Sequence, residues 1–216
     1  MSTWAIIPVK RLSEAKSSLS GVLGPKQRQR LVLSMLADTL DPIRKASSLS
    51  GAVVVSPDEK VLDFARLHGA SDGVKSDLGL NEAIRCAIEH VMARGATSVL
   101  ILPGDLPLLK VADIENITAM ATAQRDVVIV PSKANGTNAL LIRPPDLIEL
   151  RFGGESFPLH VQEAIRAGVK PRVYRSPSVA TDIDDPADLS SIETLGTGTR
   201  SHDFLLSLRG GSQRRA

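Results

Sequence analysis

Short apolar runs alternate along this chain with longer segments of helical periodicity, and this alternation limits what the chain can fold into. Four runs rich in Val, Ile and Leu occupy residues 4–9, 52–55, 98–102 and 127–130. None of them alternates apolar with polar residues, which is typical of strands covered on both faces. The segments between them carry apolar residues at helical spacing, such as Leu31, Met35 and Leu40. The pattern predicts an α/β fold, Rossmann-like in outline, with a central mixed, mostly parallel sheet flanked by helices.

The length of the chain and the sequence pattern of its C-terminal part indicate the expected domain organisation. With 216 residues, 43% of them hydrophobic, the chain fits one domain with a substantial core. After about residue 135 the alternation of strands and helices becomes less regular. Residues 139–143 and 172–174 are expected to form strands, and we expect this later part to cap the site instead of continuing the regular winding. From Gly196 onward the sequence is rich in Gly, Ser and Arg. We therefore predict one domain over residues 1–195 and a disordered basic tail over residues 196–216.

Composition argues against several classes of function. The formal net charge is +2 and aromatic residues make up 3% of the chain, so no nucleic-acid partner is expected. The single cysteine, Cys86, allows neither an intrachain disulfide nor a cysteine-based zinc cluster. Apolar segments fall short of the roughly 20 residues of a membrane span, and the N-terminal run is too short for a signal peptide. We expect a cytoplasmic protein that does not bind membranes, and the sequence leaves a homodimer open.

A loop rich in cations and hydroxyls follows the first apolar run. In an open parallel sheet, ligands bind beyond the carboxyl ends of the strands, so the residues after each run are candidate site residues. Lys10 and Lys16 stand where two point charges would meet the oxygens of a triphosphate. The loop has neither the Gly-x-Gly-x-x-Gly nor the Walker pattern. At this point a solvated surface loop is an equal alternative.

Three aspartates form a candidate metal site. Asp105 follows the third apolar run in the segment Leu-Pro-Gly-Asp-Leu-Pro. Asp182 and Asp184 flank Ile183 in an extended segment, so their carboxylates project to one side and repel each other unless a cation lies between them. Magnesium prefers such oxygen ligands. The alternatives are a turn or cap role for Asp105 and capping chemistry for the later pair.

Histidine is scarce, and this narrows the chemistry. The four histidines show no paired metal-ligand spacing, and no serine or cysteine has a recognisable triad context. The pattern favours a reaction whose nucleophile is already an anion. A phosphate oxygen attacking a nucleoside triphosphate is such a reaction, and its catalysis rests on positioning and charge neutralisation.

Together these segments resemble the CofC/FbiD family of guanylyltransferases in coenzyme F420 biosynthesis, within the wider group of molybdopterin-guanylyltransferase-like and sugar nucleotidyltransferases. The resemblance runs from residue 6 to about 190 and rests on the order and spacing of short stretches. The stretches are Ile-Pro-Val-Lys at 7–10 with Ala-Lys-Ser at 15–17, Gly-Leu-Asn at 79–81, Leu-Pro-Gly-Asp-Leu-Pro at 102–107, Gly-Thr-Asn-Ala-Leu at 136–140, Phe-Gly at 152–153 with Ser-Phe at 156–157 and His160, and Thr-Asp-Ile-Asp at 181–184.

The resemblance implies a nucleotidyltransferase domain of the GT-A type that transfers GMP from GTP to a small phosphorylated carboxylic acid and releases diphosphate. The acids used across the family are 2-phospho-L-lactate, phosphoenolpyruvate and 3-phospho-D-glycerate, and the sequence does not discriminate among them. The resemblance also implies the roles of the site residues. Asp105, Asp182 and Asp184 are expected to bind Mg²⁺, and the acid is expected to be held by Thr137, Gly153 and Ser156. Lys10 and Lys16 on the phosphates and Asn81 at the base or ribose are the expected nucleotide contacts, and Lys10, Lys16 and Asp105 are the expected catalytic residues.

Plainer roles compete with some of these assignments. Asn81 and Ser156 each stand where a helix begins and are equally good helix caps. Gly136 and Thr137 also suit a simple turn. Glu155 departs from the expected pattern and places a negative charge near the acid site.

Three other functions compete with the whole assignment. A sugar or molybdopterin nucleotidyltransferase is the nearest, although the first loop lacks a Gly-Gly-rich segment. A GT-A glycosyltransferase is the second, because Asp-Ile-Asp is a DxD pattern, although that motif usually lies in mid-chain. A regulatory module that binds a nucleotide without turnover is the third.

Overall fold

Seven strands form a single sheet within residues 1–212, the part of the chain that the computed structural model describes. The strands are β1 (Thr3–Pro8), β2 (Gly51–Ser56), β3 (Asp72–Lys75), β4 (Ser98–Ile101), β5 (Asp126–Pro131), β6 (Thr137–Arg143) and β7 (Arg172–Val173). Their order across the sheet is β3-β2-β1-β4-β6-β5-β7. β6 runs antiparallel to both neighbours, whereas the remaining pairings are parallel. The prediction of a mixed, mostly parallel sheet is confirmed.

Helices connect the strands and cover both faces of the sheet. They are α1 (Pro25–Lys45), α2 (Glu59–Leu67), α3 (Leu80–Met92), α4 (Val111–Met120), α5 (Ser156–Arg166), α6 (Pro177–Ala180), α7 (Leu189–Leu195) and α8 (Arg200–Ser212). Proline at the first position of α1 is favourable because that residue needs no amide hydrogen bond within the helix. Among the described helices, none is both long enough and apolar enough to cross a membrane.

The core consists of two apolar clusters, one on each face of the sheet. Alternate residues of β1 divide between them: Ala5 and Ile7 join the cluster under α1, α2 and α4, and Ile6 joins the cluster under α3 and α5. The same division occurs along the other central strands, whose residues are nearly all buried. This explains why the runs carry no polar alternation, since both faces of each strand lie in a core.

The direction of β6 determines which chain segments meet at the functional edge of the sheet. Ile101, at the end of β4, pairs with Leu140, and Pro131, at the end of β5, pairs with Thr137. The start of β6 therefore lies at the same edge as the carboxyl ends of β1, β4 and β5. A tight connection from β5 to β6 delivers Thr137 there, without a crossover helix.

Two expectations about the sheet need correction. β3 was not predicted, because Asp-Gly-Val-Lys is short and polar and lies half exposed at the edge of the sheet. The part of the chain after residue 135 does not only cap the site, because the strand expected over residues 139–143 is present as β6 and lies fully buried inside the sheet. Only the loops and short helices that follow β6 cover the site.

The predicted disordered tail is wrong for the residues that the structure describes. Residues from Arg200 form helix α8, which packs on α1 through the buried side chains of Phe204 and Leu205. Buried Asp38 of α1 accepts hydrogen bonds from the amides of Arg200 and Ser201, both at 2.9 Å, and so holds the start of α8. The helix depends on this packing, which local composition does not reveal. Residues 213–216 of the predicted tail lie outside the described residues.

Candidate active site

A cleft of about 890 Å³ opens at the edge of the sheet where β1 and β4 end and β6 begins. The predicted site residues that line it are Lys10, Lys16, Asp105, Thr137, Gly153, Ser156, Asp182 and Asp184. Asn81 is the exception, since its neighbours Leu80 and Ala83 line the cleft and Asn81 itself does not. Segments up to 168 residues apart in sequence thus meet in one place.

The first loop is anchored to the core, although most of its polar residues are exposed. Two short 3-10 turns, Leu12–Glu14 and Ser17–Gly21, bury Leu12 and Leu19 beneath it. Lys16, between the turns, has a left-handed backbone with φ 44° and ψ 54°, which a residue with a side chain adopts only when its surroundings enforce it. This conformation directs Lys16 into the cleft, whereas Lys10 lies exposed near the mouth.

Arg28 on α1 holds the first loop through hydrogen bonds to its backbone. Its guanidinium donates to the carbonyl oxygens of Ala15, at 3.1 Å, and Leu23, at 2.9 Å. These two carbonyls flank the second 3-10 turn, so one side chain fixes both of its ends. Arg28 thereby fixes the position of the backbone that carries Lys16.

The Lys16 ammonium lies between two of the predicted metal ligands. Its Nζ donates to Asp105 Oδ2 and, at 2.9 Å, to Asp184 Oδ1. Burial lowers the pKa of Lys16, but the two carboxylates outweigh burial and hold that pKa above its usual value. Burial likewise works to raise the pKa of Asp184, and the Lys16 charge reverses the effect and holds it below its usual value. Both partners are therefore ionised at neutral pH.

Tight packing fixes the position of Asp105 after β4. A Cβ on Gly104 would come within 2.8 Å of Val9 Cγ2, so the β4 turn lies directly against the end of β1. On the other side, the Leu106 amide donates to Thr39 Oγ1 at 3.2 Å. Asp105 Oδ1 is buried and has no hydrogen-bond partner among the described residues. Asp105 thus caps no helix, and one of its oxygens is free to bind a ligand.

Asp182 belongs to the same cluster but has a different environment. Asn138 Nδ2 donates to the Val179 carbonyl at 2.9 Å and to Asp182 Oδ1 at 3.2 Å, which ties this segment to β6. Burial raises the pKa of Asp182, and the charges of Asp105 and Asp184 add to that rise, while the Asn138 hydrogen bond opposes it. Ile183 is fully buried between the two aspartates, as the alternation predicts.

The capping alternative for the aspartate pair is wrong, because neighbouring aspartates, and not this pair, accept the amides of the turn before α7. Asp185 Oδ1 accepts from the Ala187 and Asp188 amides, and Asp188 Oδ2 accepts from the Asp184 and Asp185 amides. These amides are met without Asp182 or the Asp184 carboxylate, and α7 itself has no side-chain cap.

The donor chemistry of the cluster fits a divalent cation. Within residues 1–212, no three Asp, Glu, His or Cys side chains are already arranged around one metal position, and Lys16 occupies oxygens of Asp105 and Asp184. The unpaired, buried Asp105 Oδ1 is nevertheless costly unless a cation or donor meets it. Carboxylate oxygens beside a phosphate site are the ligands that Mg²⁺ prefers. The residues therefore fit Mg²⁺ chemically, and in this structure Lys16 supplies the positive charge among them.

Another part of the cleft lining comes from the start of β6 and the loop before α5. Thr137 is nearly buried, and its Oγ1 lies 2.9 Å from His160 Nδ1. Gly153 has φ +136°, a conformation that L side chains rarely adopt, with nothing within 4 Å of a Cβ built on it. Ser156 is the first residue of α5, with Glu155 as the N-cap, so the N-cap alternative for Ser156 is wrong. Its hydroxyl lies at the positive end of the helix dipole.

Asn81, on α3, holds the loop before α5 through its contacts with the backbone of that loop. Its Nδ2 donates to the Phe152 carbonyl at 3.1 Å, and its Oδ1 accepts from the Phe152 amide at 2.9 Å. Gly79 is the N-cap of α3, so the cap alternative for Asn81 is also wrong. The side chain thus holds the residue immediately before Gly153, and a direct contact between Asn81 and the nucleotide stays a prediction.

Three residues that organise the cleft were not assigned from sequence. They are Arg28, Asn138 and His160. Asn138 and His160 belong to the stretches that carried the family resemblance, and a buried amide in an otherwise apolar strand was a usable signal. Arg28 gave no signal, because an arginine on an amphipathic helix ordinarily faces solvent.

Comparison with known proteins identifies the family of this chain. The family model described as guanylyl transferase CofC like matches residues 3–213. The chain is 43% identical over 197 residues to the phosphoenolpyruvate guanylyltransferase of Rubrobacter xylanophilus, covering 91% of this chain and 96% of that protein. It is 36% identical over 204 residues to the 2-phospho-L-lactate guanylyltransferase of Methanocaldococcus jannaschii, covering 94% and 88%.

A solved structure supports the fold independently. A nucleotidyl transferase from Methanothermobacter superposes with a TM-score of 0.66 at 17% identity, covering 95% of this chain and 99% of that one. At this identity the likeness concerns the fold alone, and it agrees with the predicted class. The family match over nearly the whole chain determines the enzyme class and the family: this chain is a nucleotidyltransferase and belongs to the CofC-like guanylyl transferase family.

Proposed function

We propose that this protein transfers GMP from GTP to a small phosphorylated three-carbon carboxylic acid, with release of diphosphate, in coenzyme F420 biosynthesis. One observation carries the proposal. A single cleft is lined by cationic Lys16 and the aspartates together with Thr137 and the start of α5. Such a cleft suits two anionic substrates that must react with each other.

The chain's own groups account for the chemistry on the GTP side. Lys16 lies deep in the cleft and Lys10 at its mouth, so the two charges suit the inner and outer parts of a triphosphate. They neutralise the charge that builds up as the bond to diphosphate breaks. The nucleophile is a phosphate oxygen that is already an anion, so the chain needs no general base.

The acid side offers neutral donors in place of a base. We propose that the Thr137 hydroxyl, the backbone at Gly153 and the Ser156 hydroxyl with the α5 amides hold the phosphate or carboxylate of the acid. Burial lowers the pKa of His160 to about 4, so the imidazole beside Thr137 is neutral and carries no charge to the acid. Glu155, at the same rim, repels a misplaced anion and so favours one orientation.

We further propose that Asp105, Asp182 and Asp184 hold Mg²⁺, as the unpaired Asp105 oxygen and the donor set suggest. A bound Mg²⁺ ion would supply charge neutralisation at the transferring phosphoryl group. Asn138 holds the Asp182 carboxylate in place, and Lys16 keeps the charge of Asp105 and Asp184 balanced.

The proposal is tested by incubating the protein with GTP, Mg²⁺ and each of the three family acids, with diphosphate release as the readout. Phosphoenolpyruvate is the first acid to try, because the R. xylanophilus relative is named for it. We expect release with at least one acid and a mass-detected guanylyl-diphospho adduct of that acid. Release with none of the acids would refute the proposal. Sugar 1-phosphates and a nucleotide-sugar hydrolysis assay, run in parallel, distinguish the nucleotidyltransferase and glycosyltransferase rivals.

Gly153→Ala is expected to raise the KM for the acid about tenfold while the KM for GTP changes little. The φ of +136° costs a side chain about 1–3 kcal/mol, so the loop shifts to relieve it and the acid contacts loosen. The control is Gly154→Ala, where φ is not in the positive region and a Cβ has open space. Steady-state kinetics for both substrates check the result, and equal KM values for the two variants would contradict it.

A further inference from the structure

His160, on α5, is enclosed between Thr137 at the start of β6 and the loop that precedes α5. The residue is 0% exposed. Its Nδ1 lies 2.9 Å from Thr137 Oγ1, and its Nε2 lies 3.0 Å from the Arg151 amide nitrogen. The ring of Phe152 packs edge-on against it, with 4.7 Å between ring centroids. Both ring nitrogens are therefore engaged, and neither faces the cleft directly.

The two contacts together fix the tautomer. A backbone amide can only donate, so Nε2 must be the unprotonated, accepting nitrogen. A neutral imidazole then carries its proton on Nδ1, and Nδ1 donates to Thr137 Oγ1. Burial lowers the pKa of the imidazole to about 4, in agreement with a neutral ring, and Glu163 and Arg151 are the charged groups that act on it.

The tautomer in turn determines what the threonine hydroxyl can do. Once Thr137 Oγ1 accepts from His160, its own proton must point elsewhere. No other hydrogen bond joins this hydroxyl to a partner in residues 1–212, and Thr137 lines the cleft. The hydroxyl therefore presents a hydrogen to the cleft, which suits an anion and disfavours a donor.

We propose that His160 is a positioning residue that holds the Thr137 hydroxyl as an obligate donor to the phosphorylated acid. The inference rests on the proposed function, because it identifies the Thr137 hydroxyl as the group that donates a hydrogen bond to the anionic acid substrate. It also gives the Arg151 contact a role: the same ring holds the start of the loop that carries Gly153.

The tautomer is measured first, on the unmodified protein and without substrate. Two-bond ¹⁵N–¹H correlation spectra of ¹⁵N-histidine-labelled protein at pH 7 report which ring nitrogen is protonated. We expect one buried histidine with a protonated Nδ1 and an unprotonated Nε2, and its signals are assigned by their loss in His160→Gln. A protonated Nε2 or a doubly protonated ring would overturn the proposal, and loss of the signals in His160→Asn gives the assignment if His160→Gln does not fold.

Two substitutions then separate the two ring contacts. In His160→Asn the side-chain amide lies near the Nδ1 position and keeps a donor for Thr137, whereas in His160→Gln it lies near the Nε2 position and keeps only the Arg151 contact. We expect His160→Gln to raise the KM for the acid by up to about tenfold, the loss for a complete hydrogen bond to a charged group, because the Thr137 hydroxyl remains but is no longer held as a donor. The KM for GTP should stay within about twofold, and His160→Asn should recover part of the loss.

A double-mutant cycle with Thr137→Val completes the test. If His160 acts through the hydroxyl, His160→Gln has no further effect on the acid KM once the hydroxyl is absent. Additive effects would show that His160 supports the cleft in another way and would overturn the proposal. Failure of the proposed function is distinguishable, because the unmodified protein would then release no diphosphate with any acid while the tautomer stays measurable.

Discussion

Lys16→Met is expected to lower kcat for diphosphate release by about a hundred- to a thousandfold, the usual loss when one donor to a developing charge is removed. The ammonium is the deepest cation of the cleft, and its left-handed backbone and the Arg28 brace hold it in place before GTP arrives. Lys16→Arg should recover little, because a planar fork does not fit between Asp105 and Asp184 as a point charge does. Quenched-flow or coupled diphosphate assays at saturating GTP measure the effect.

Two controls separate chemistry from folding in that experiment. Lys26→Met removes an exposed lysine at the start of α1, away from the cleft, and should leave kcat unchanged. Thermal unfolding of Lys16→Met reports the cost of leaving Asp105 and Asp184 without their cation. A Lys16→Met enzyme that unfolds at the normal temperature and turns over at the normal rate would remove Lys16 from the catalytic set.

Asp105→Asn and Asp182→Asn are each expected to abolish measurable turnover, a loss of more than about a thousandfold, with the fold intact. Asparagine has the shape of aspartate but no charge, so the substitution removes an anionic oxygen from the proposed Mg²⁺ site and leaves the packing of Gly104 and Ile183 in place. Removing divalent cations with a chelator should have the same effect on the unmodified protein, and added Mg²⁺ should reverse it.

A readout other than turnover keeps the metal assignment independent of the chemistry. Mn²⁺ binding in the presence of GTP, followed by water proton relaxation, should weaken at least about tenfold in each variant. Asp146→Asn, an exposed aspartate after β6, is the matched control and should change neither quantity. Near-normal turnover in both asparagine variants would refute the metal site.

The parts of the fold that could be predicted are those in which local sequence and tertiary position agree. The runs at β1, β2, β4 and β5 are continuous because both faces of these strands are covered, and that burial is visible in the residues themselves. β3 was missed because an edge strand buries little. α8 was missed because its stability comes from Asp38 and the packing of Phe204 on α1, which its Gly- and Arg-rich composition conceals.

The candidate site likewise has residues that local sequence could predict and contacts that it could not. The strand-end rule located Lys10, Lys16 and Asp105, and the alternation in Asp-Ile-Asp placed both later carboxylates in the cleft. What sequence could not supply were pairings over long separations, such as Asn138 with Asp182 and Asn81 with Phe152. The same is true of the Lys16 contact with Asp184, since polar residues gain these partners only through the fold.

The antiparallel course of β6 has a consequence for how acid preference changes among related enzymes. Because β6 returns directly from β5, the residues proposed to hold the acid all belong to one uninterrupted stretch, 132–160, together with the histidine behind Thr137. The lysines and Asp105 come from earlier segments that this stretch does not interrupt. Exchange of this single contiguous segment between relatives is therefore expected to transfer acid selectivity, provided that Asn138, which holds Asp182, is kept.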